Sequence, residues 1–177
     1  FGPGVRRPFM MEASFGIGDN DKQIIDSDAG AMRLRGAIDR MDRYNDDLLV
    51  MDYKTGGTEI KREEMATGRN YQMLVYVMVA RDLVNKYRLT IPNPPQRVRG
   101  GFFWHISNRK VSGVLNLADP QDMALVDSTE DRVVDIMQQA VVGKFGVAPS
   151  KPENGRCVRY CDYYRLCRLA MTKLDNR

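Results

Sequence analysis

The chain has 177 residues, 43% of them hydrophobic, with 27 basic and 23 acidic side chains and a net charge of +4. That is enough chain for one domain with a real core and leaves little room for a second. No run approaches the roughly 18 apolar residues of a membrane span, and the net charge is too mild to mark a nucleic-acid binder by itself. The sequence begins at Phe1, with neither a start methionine nor the apolar stretch of a secretion signal. It therefore reads as a piece of a longer polypeptide, with the cytoplasm as the default location.

Residues 1–30 are rich in Gly, Pro and Asp, and within them 9–15 and 23–25 are expected to pair as short strands. Residues 32–42 alternate loosely between apolar and polar, 43–47 form a turn cluster, and 48–54 open on the apolar run Leu48-Leu49-Val50-Met51, so a hairpin of 32–42 with 48–54 is expected. A polar loop with a short helical stretch near 62–65 follows Gly56-Gly57. A strong helix is then expected over about 70–86, because Tyr71, Leu74, Val75, Met78, Val79 and Leu83 recur at three- and four-residue intervals and form one wide apolar face. Three prolines make 89–96 a loop, and 98–106 with 111–117 reads as a second hairpin around Ser107-Asn108-Arg109. Asp119-Pro120 opens a helical region to about 142, with a break near Ser128. The expected division is a core over 1–155 and a basic, cysteine-rich segment over 156–177. That segment carries six basic against two acidic side chains, an excess equal to the net charge of the whole chain, and could face phosphates.

Hydrolysing a phosphodiester requires water in line with a hindered anion and neutralisation of the charge that builds on the phosphorus oxygens. Hard divalent cations do this and need oxygen ligands. Residues i and i+2 of a strand share a face, so Asp52 and Lys54 point together while Tyr53 points away. With the turn centred near residue 45, Asp39 falls opposite residues 51–52, within about 5–8 Å across the ladder. Two carboxylates and an ammonium thus converge. Asp39 and Asp52 would hold the metal, the Tyr53 carbonyl could complete its shell, and Lys54 would orient the water or stabilise the transition state. Gln72 and Tyr76, four apart on a helix, project to one side and can reach a common target.

Cys157, Cys161 and Cys167 fall within eleven residues. An odd number of clustered thiols argues for a metal rather than disulfides, and zinc and iron–sulfur sites both usually want four ligands. His105, the only histidine, lies beside Phe102, Phe103 and Trp104 and reads as a packing residue, a poor fourth ligand.

The combination Gly36-x-x-Asp39-Arg40-x-Asp42, then Asp52-Tyr53-Lys54-Thr55-Gly56, then Gln72 to Tyr76 resembles the RecB-type branch of the PD-(D/E)xK nuclease superfamily. Its nearest likeness is to the AddB-type and CRISPR-associated exonucleases with an iron–sulfur cluster, and it runs from about Leu34 to Cys167. The resemblance implies a restriction-endonuclease-like α/β fold, a mixed sheet flanked by helices, and Mg²⁺ or Mn²⁺ at the site. Asp39, Asp52 and Lys54 would be catalytic, with Gln72 and Tyr76 positioning the lysine, the metal shell or the phosphate. Arg40 and Asp42 would brace the hairpin or touch the DNA backbone. Cys157, Cys161 and Cys167 would hold three corners of a [4Fe–4S] cluster whose fourth cysteine lies upstream, with zinc as the alternative. A further His or Glu ligand on a helix before the first strand is also implied, and no such helix is legible in residues 1–30. The expected function is metal-dependent DNA cleavage, as an exonuclease in repair or recombination, with DNA and a helicase domain or subunit as partners. The alternative is an inactive DNA-binding or scaffolding domain on the same fold.

Overall fold

The computed structural model describes residues 5–17, 23–27 and 30–144, and the two parts of the chain that separate as compact units meet after Gln138. Within the first unit, five strands form one mixed sheet in the order β1 (Arg6–Phe15), β4 (Gly36–Tyr44), β5 (Asp47–Lys54), β6 (Val98–His105), β7 (Lys110–Asn116). A separate two-stranded ribbon pairs β2 (Gln23–Ser27) with β3 (Gly30–Leu34). The expected mixed α/β class is what the chain forms. The cysteine segment, Cys157, Cys161 and Cys167 included, lies outside the described residues.

Two of the expected pairings differ. The strand around residues 9–15 extends from Arg6 and pairs not with the next strand but with β4, Ala13 opposite Ile38 and Phe15 opposite Gly36. The expected 32–42 strand is two strands: β3 ends at Leu34, and only from Gly36 does the chain enter the main sheet. The β4–β5 hairpin itself forms as expected, with Tyr44 opposite Asp47. Its two-residue turn gives Asn45 a φ of 54°, a conformation that Asn tolerates better than most residues.

β5 is central. Leu48, Leu49 and Val50 have no exposed surface. This suits a strand whose partners are β4 on one side, antiparallel, and β6 on the other, parallel. The parallel step needs a crossover, which α1 (Arg62–Ala66) and α2 (Gln72–Thr90) supply. α2 runs four residues past its expected end. Its stop is set by Pro92, which disfavours the helical region for the residue before it. Ile91 accordingly turns extended, at φ −126° and ψ 148°. The apolar surface of α2 is also wider than one face. Besides Leu74 and Val79, the helix buries Met73, Val77, Ala80 and Val84, because it packs on β5 and β6 and also against α3 (Pro120–Asp127). The expected break at Ser128 separates α3 from α4 (Thr129–Val141). Asp119 caps α3 by accepting a hydrogen bond from the Gln121 N–H at 2.8 Å, which satisfies one of the donors a helix start leaves open.

Gly100 and Gly101 on β6 bring the layers together. A Cβ on Gly101 would lie 2.5 Å from Met73 Sδ, so its absence lets α2 settle onto the sheet, and Gln72 comes down with its neighbour. Gly100 has φ +149°, and a Cβ there would lie 2.0 Å from the Leu115 carbonyl oxygen. Backbone on a paired strand cannot yield. Gly100→Ala is therefore expected to cost about 2 kcal/mol or more, read as a lowered midpoint in thermal denaturation followed by circular dichroism.

Candidate active site

The sequence places acid, acid and lysine on β4 and β5, and the fold adds the start of α2. Asp52 is the last buried residue of the β5 apolar run, its side chain 3% exposed, while the Lys54 side chain at the strand's end is 30% exposed. Two residues apart, they share a face of the strand. Gln72, the first residue of α2, joins them. Its Nε2 donates to Asp52 Oδ1 at 2.8 Å and to Tyr76 Oη at 3.1 Å, and its Oε1 accepts from Lys54 Nζ at 2.6 Å. Both amide hydrogens and the carbonyl are thus used, so carboxylate, ammonium and phenol are held by one side chain. The four-residue spacing of Gln72 and Tyr76 does bring them together. Lys54 Nζ also stands 4.9 Å from the centroid of the Phe103 ring, a cation–π contact that holds the ammonium from below.

Asp39 is half-buried and enters from β4. Its Oδ2 accepts the Tyr53 N–H at 2.8 Å, so Tyr53 meets Asp39 through its amide nitrogen. The electrostatics show how close the acids are. Burial pushes the Asp52 carboxyl above its ordinary pKa; Lys54 draws it down, and the Asp39 charge pushes it up again.

Asp52 Oδ2 is buried and accepts no hydrogen bond. Lys54 Nζ, 2.7 Å away, is its ion-pair partner, and the oxygen has lone-pair capacity to spare. A buried anionic oxygen with lone-pair capacity to spare, destabilised by a second carboxylate, is what a divalent cation satisfies. The donor set therefore fits a hard cation. Among the described residues no cluster of three His, Cys, Asp or Glu side chains forms.

On the other face of the sheet, Arg40 donates to Asp42 through two bonds of 2.6 and 3.1 Å and to Tyr53 Oη at 3.1 Å. The hydrogen bonds to Asp42 raise the Arg40 pKa, which keeps the guanidinium charged at any working pH. The expected bracing role of this pair has a geometric basis.

Three contributors escaped the sequence reading: Gly101, Phe103 and the environment of His105. His105 is buried. Its Nδ1 lies 2.7 Å from the Gly56 carbonyl and its Nε2 2.7 Å from Ser112 Oγ. A carbonyl only accepts, so the proton sits on Nδ1 and Ser112 donates to Nε2. The histidine thus pins the loop that leaves Lys54. The alternation of Phe103 and His105 on a parallel neighbour of Lys54 was the available signal. A cavity of about 380 Å³ lies at the opposite end of α2 and includes Arg81, Arg88, Arg97 and Arg99, each engaged by Asp127, Asp47 or the Gln96 carbonyl. It holds none of the groups described above.

No helix among the described residues is long and apolar enough to cross a membrane. Among curated proteins, the chain is 36% identical over 78 residues to a subunit of the ATP-dependent helicase/deoxyribonuclease of Carboxydothermus hydrogenoformans, a match that covers 41% of this chain and 7% of that protein. The chain therefore spans a small part of the curated relative it matches. The PD-(D/E)XK nuclease superfamily profile matches residues 2–168, taking in the β4–β5 acids, Lys54 and the start of α2 alike. With the family pattern covering nearly the whole sequence and its acids and lysine gathered at one point of a mixed five-stranded sheet, this chain belongs to the PD-(D/E)XK nuclease superfamily.

Proposed function

We propose that this chain is the nuclease domain of a divalent-metal-dependent deoxyribonuclease, acting as an exonuclease in DNA repair or recombination, and that it works alongside a helicase domain or subunit. The observation that carries the reading is the hydrogen-bonded set Lys54–Gln72–Asp52, with Asp39 beside it and the buried Asp52 Oδ2 paired with the Lys54 ammonium. The helicase association rests on the name of the helicase/deoxyribonuclease relative.

Asp39 and Asp52 would hold Mg²⁺ or Mn²⁺, with the Tyr53 carbonyl in the shell. When bound, the cation supplies positive charge to the phosphate oxygens and lowers the pKa of the attacking water. Lys54 presents its ammonium beside that point, aligned by Gln72 and by the Phe103 ring, and stabilises the charge that develops in the transition state. Gln72 keeps Asp52 and Lys54 in register, and Tyr76 fixes Gln72. The first turn of α2 brings its positive dipole end to the same place, which favours a phosphate. Cys157, Cys161 and Cys167, with a fourth cysteine upstream, would hold a [4Fe–4S] cluster, or zinc, as a structural staple. DNA would pass over the Asp39, Asp52 and Lys54 site, and the basic residues of segment 156–177 would add phosphate contacts.

The test is cleavage of linear DNA by the full-length protein. Cleavage is expected with Mg²⁺ or Mn²⁺ and none with excess EDTA. A full-length protein that binds DNA but never cuts it in either metal would establish the rival reading, an inactive DNA-binding domain on a nuclease fold.

A further inference from the structure

The backbone ladder between β4 and β5 stops at Arg40 opposite Met51, one residue short of both acids. Beyond that point β4 stays with β1, Ile38 opposite Ala13, while β5 stays with β6, Tyr53 opposite Trp104 and Lys54 opposite His105. The two strands fork where Asp39 and Asp52 sit, so ladder hydrogen bonds no longer set the spacing between them.

Two side-chain bonds cross the fork, and both land on Tyr53. Asp39 Oδ2 accepts its amide N–H at 2.8 Å, and Arg40 Nη1 donates to its phenol oxygen at 3.1 Å. Asp39 and Arg40 are adjacent on β4, so they grip Tyr53 from opposite faces of the sheet, one by backbone and one by side chain. Arg40 is itself held: Nε and Nη2 bind the two oxygens of Asp42, whose side chain is 2% exposed. A guanidinium already fixed by a bidentate pair loses little further freedom on meeting the phenol.

The two grips are not equivalent. Asp39 holds Tyr53 with the oxygens that a cation would draw on, so engaging a cation weakens that bond. The Arg40–Tyr53 bond has no such conflict. We propose that Asp42, Arg40 and the Tyr53 phenol form a clamp on the back of the sheet that fixes the β4–β5 fork, making Arg40 and Tyr53 positioning residues for the Asp39/Asp52 pair. The proposal rests on reading Asp39 and Asp52 as the cation site.

The test compares wild type, Tyr53→Phe, Arg40→Met and Asp39→Asn in two measurements. In metal-free protein, amide hydrogen exchange of Tyr53 is expected to quicken about tenfold in Tyr53→Phe, the equivalent of one lost hydrogen bond, and further in Arg40→Met, while the Val77 and Ala80 amides of α2 exchange as in wild type. The α2 amides separate a released clamp from a loosened fold. In Mn²⁺ titrations followed by electron paramagnetic resonance, Tyr53→Phe is expected to bind several-fold more weakly and Asp39→Asn not at all. Unchanged Tyr53 exchange in Tyr53→Phe overturns the clamp whatever the metal result. Equal Mn²⁺ affinity of Tyr53→Phe and wild type overturns its positioning role alone, and a wild type that takes no Mn²⁺ overturns the cation site itself.

Discussion

Lys54→Ala is expected to lower DNA cleavage by the full-length protein by about 10³-fold while leaving DNA affinity close to wild type, at a modest cost in thermal stability; the cleavage loss is that expected when one preorganised charge is removed from a phosphoryl-transfer site. The stability expectation follows from the geometry. Lys54 is partly exposed, and its hydrogen bond to Gln72 and ion pair with Asp52 hold the site together without filling the core. Removing it leaves Gln72 Oε1 near solvent, where water takes over as donor, and takes the counter-charge from the buried Asp52 Oδ2, while Gln72 keeps Asp52 and Tyr76 through Nε2. The rate effect follows from the surroundings: Phe103 lies under the ammonium, with Gln72 and Asp52 beside it, so the charge is fixed at the point where charge would develop on the substrate. Single-turnover cleavage of linear DNA, with binding measured separately in Ca²⁺, separates the two quantities. Cleavage undiminished in Lys54→Ala would remove the lysine from the chemistry.

The convergence of these side chains was largely legible before the fold because strand and helix geometry fixes their spacing locally. Asp52 and Lys54 must be two apart to share a strand face, Asp39 must sit a hairpin away, and Gln72 and Tyr76 must be one helical turn apart. Each is a spacing of four residues or fewer except the hairpin, whose turn is marked by polar residues. What was not legible depends on partners distant in the chain. β1 carries positive φ at Glu12 and a register shift between Pro8 and Met10, so its alternation is broken and nothing local names β4 as its partner. The helix-facing role of Gly101 is likewise invisible until Met73 is opposite it. The second apolar flank of α2 was missed because periodicity finds one face, and a helix packed on two layers spends its apolar residues on both. The fork at Asp39 belongs to the same class: a ladder that ends early leaves no mark in composition.

Phe103→Ala carries the other large expected effect, on stability. Phe103 has no exposed surface, stands beside Asp52 on the neighbouring strand, and is wrapped by β7, where a Cβ on Gly113 would lie 2.7 Å from its ring. Emptying that position removes a full aromatic side chain from the middle of the sheet, at an expected cost of about 3–5 kcal/mol. Against a typical total of about 5–15 kcal/mol this is a large fraction, seen as a fall in Tm on the order of 10 °C. The same ring carries the Lys54 ammonium, so the core and the site are joined at one residue. Phe103→Leu separates the two roles, because it keeps most of the volume and loses the π face. It is expected to cost less stability, about 1–2 kcal/mol, yet to reduce cleavage roughly tenfold as the ammonium loses its seat, an effect within the range of a desolvated cation–π contact. Full cleavage activity in Phe103→Leu would mean that the ring serves packing alone and that Gln72 suffices to aim the lysine.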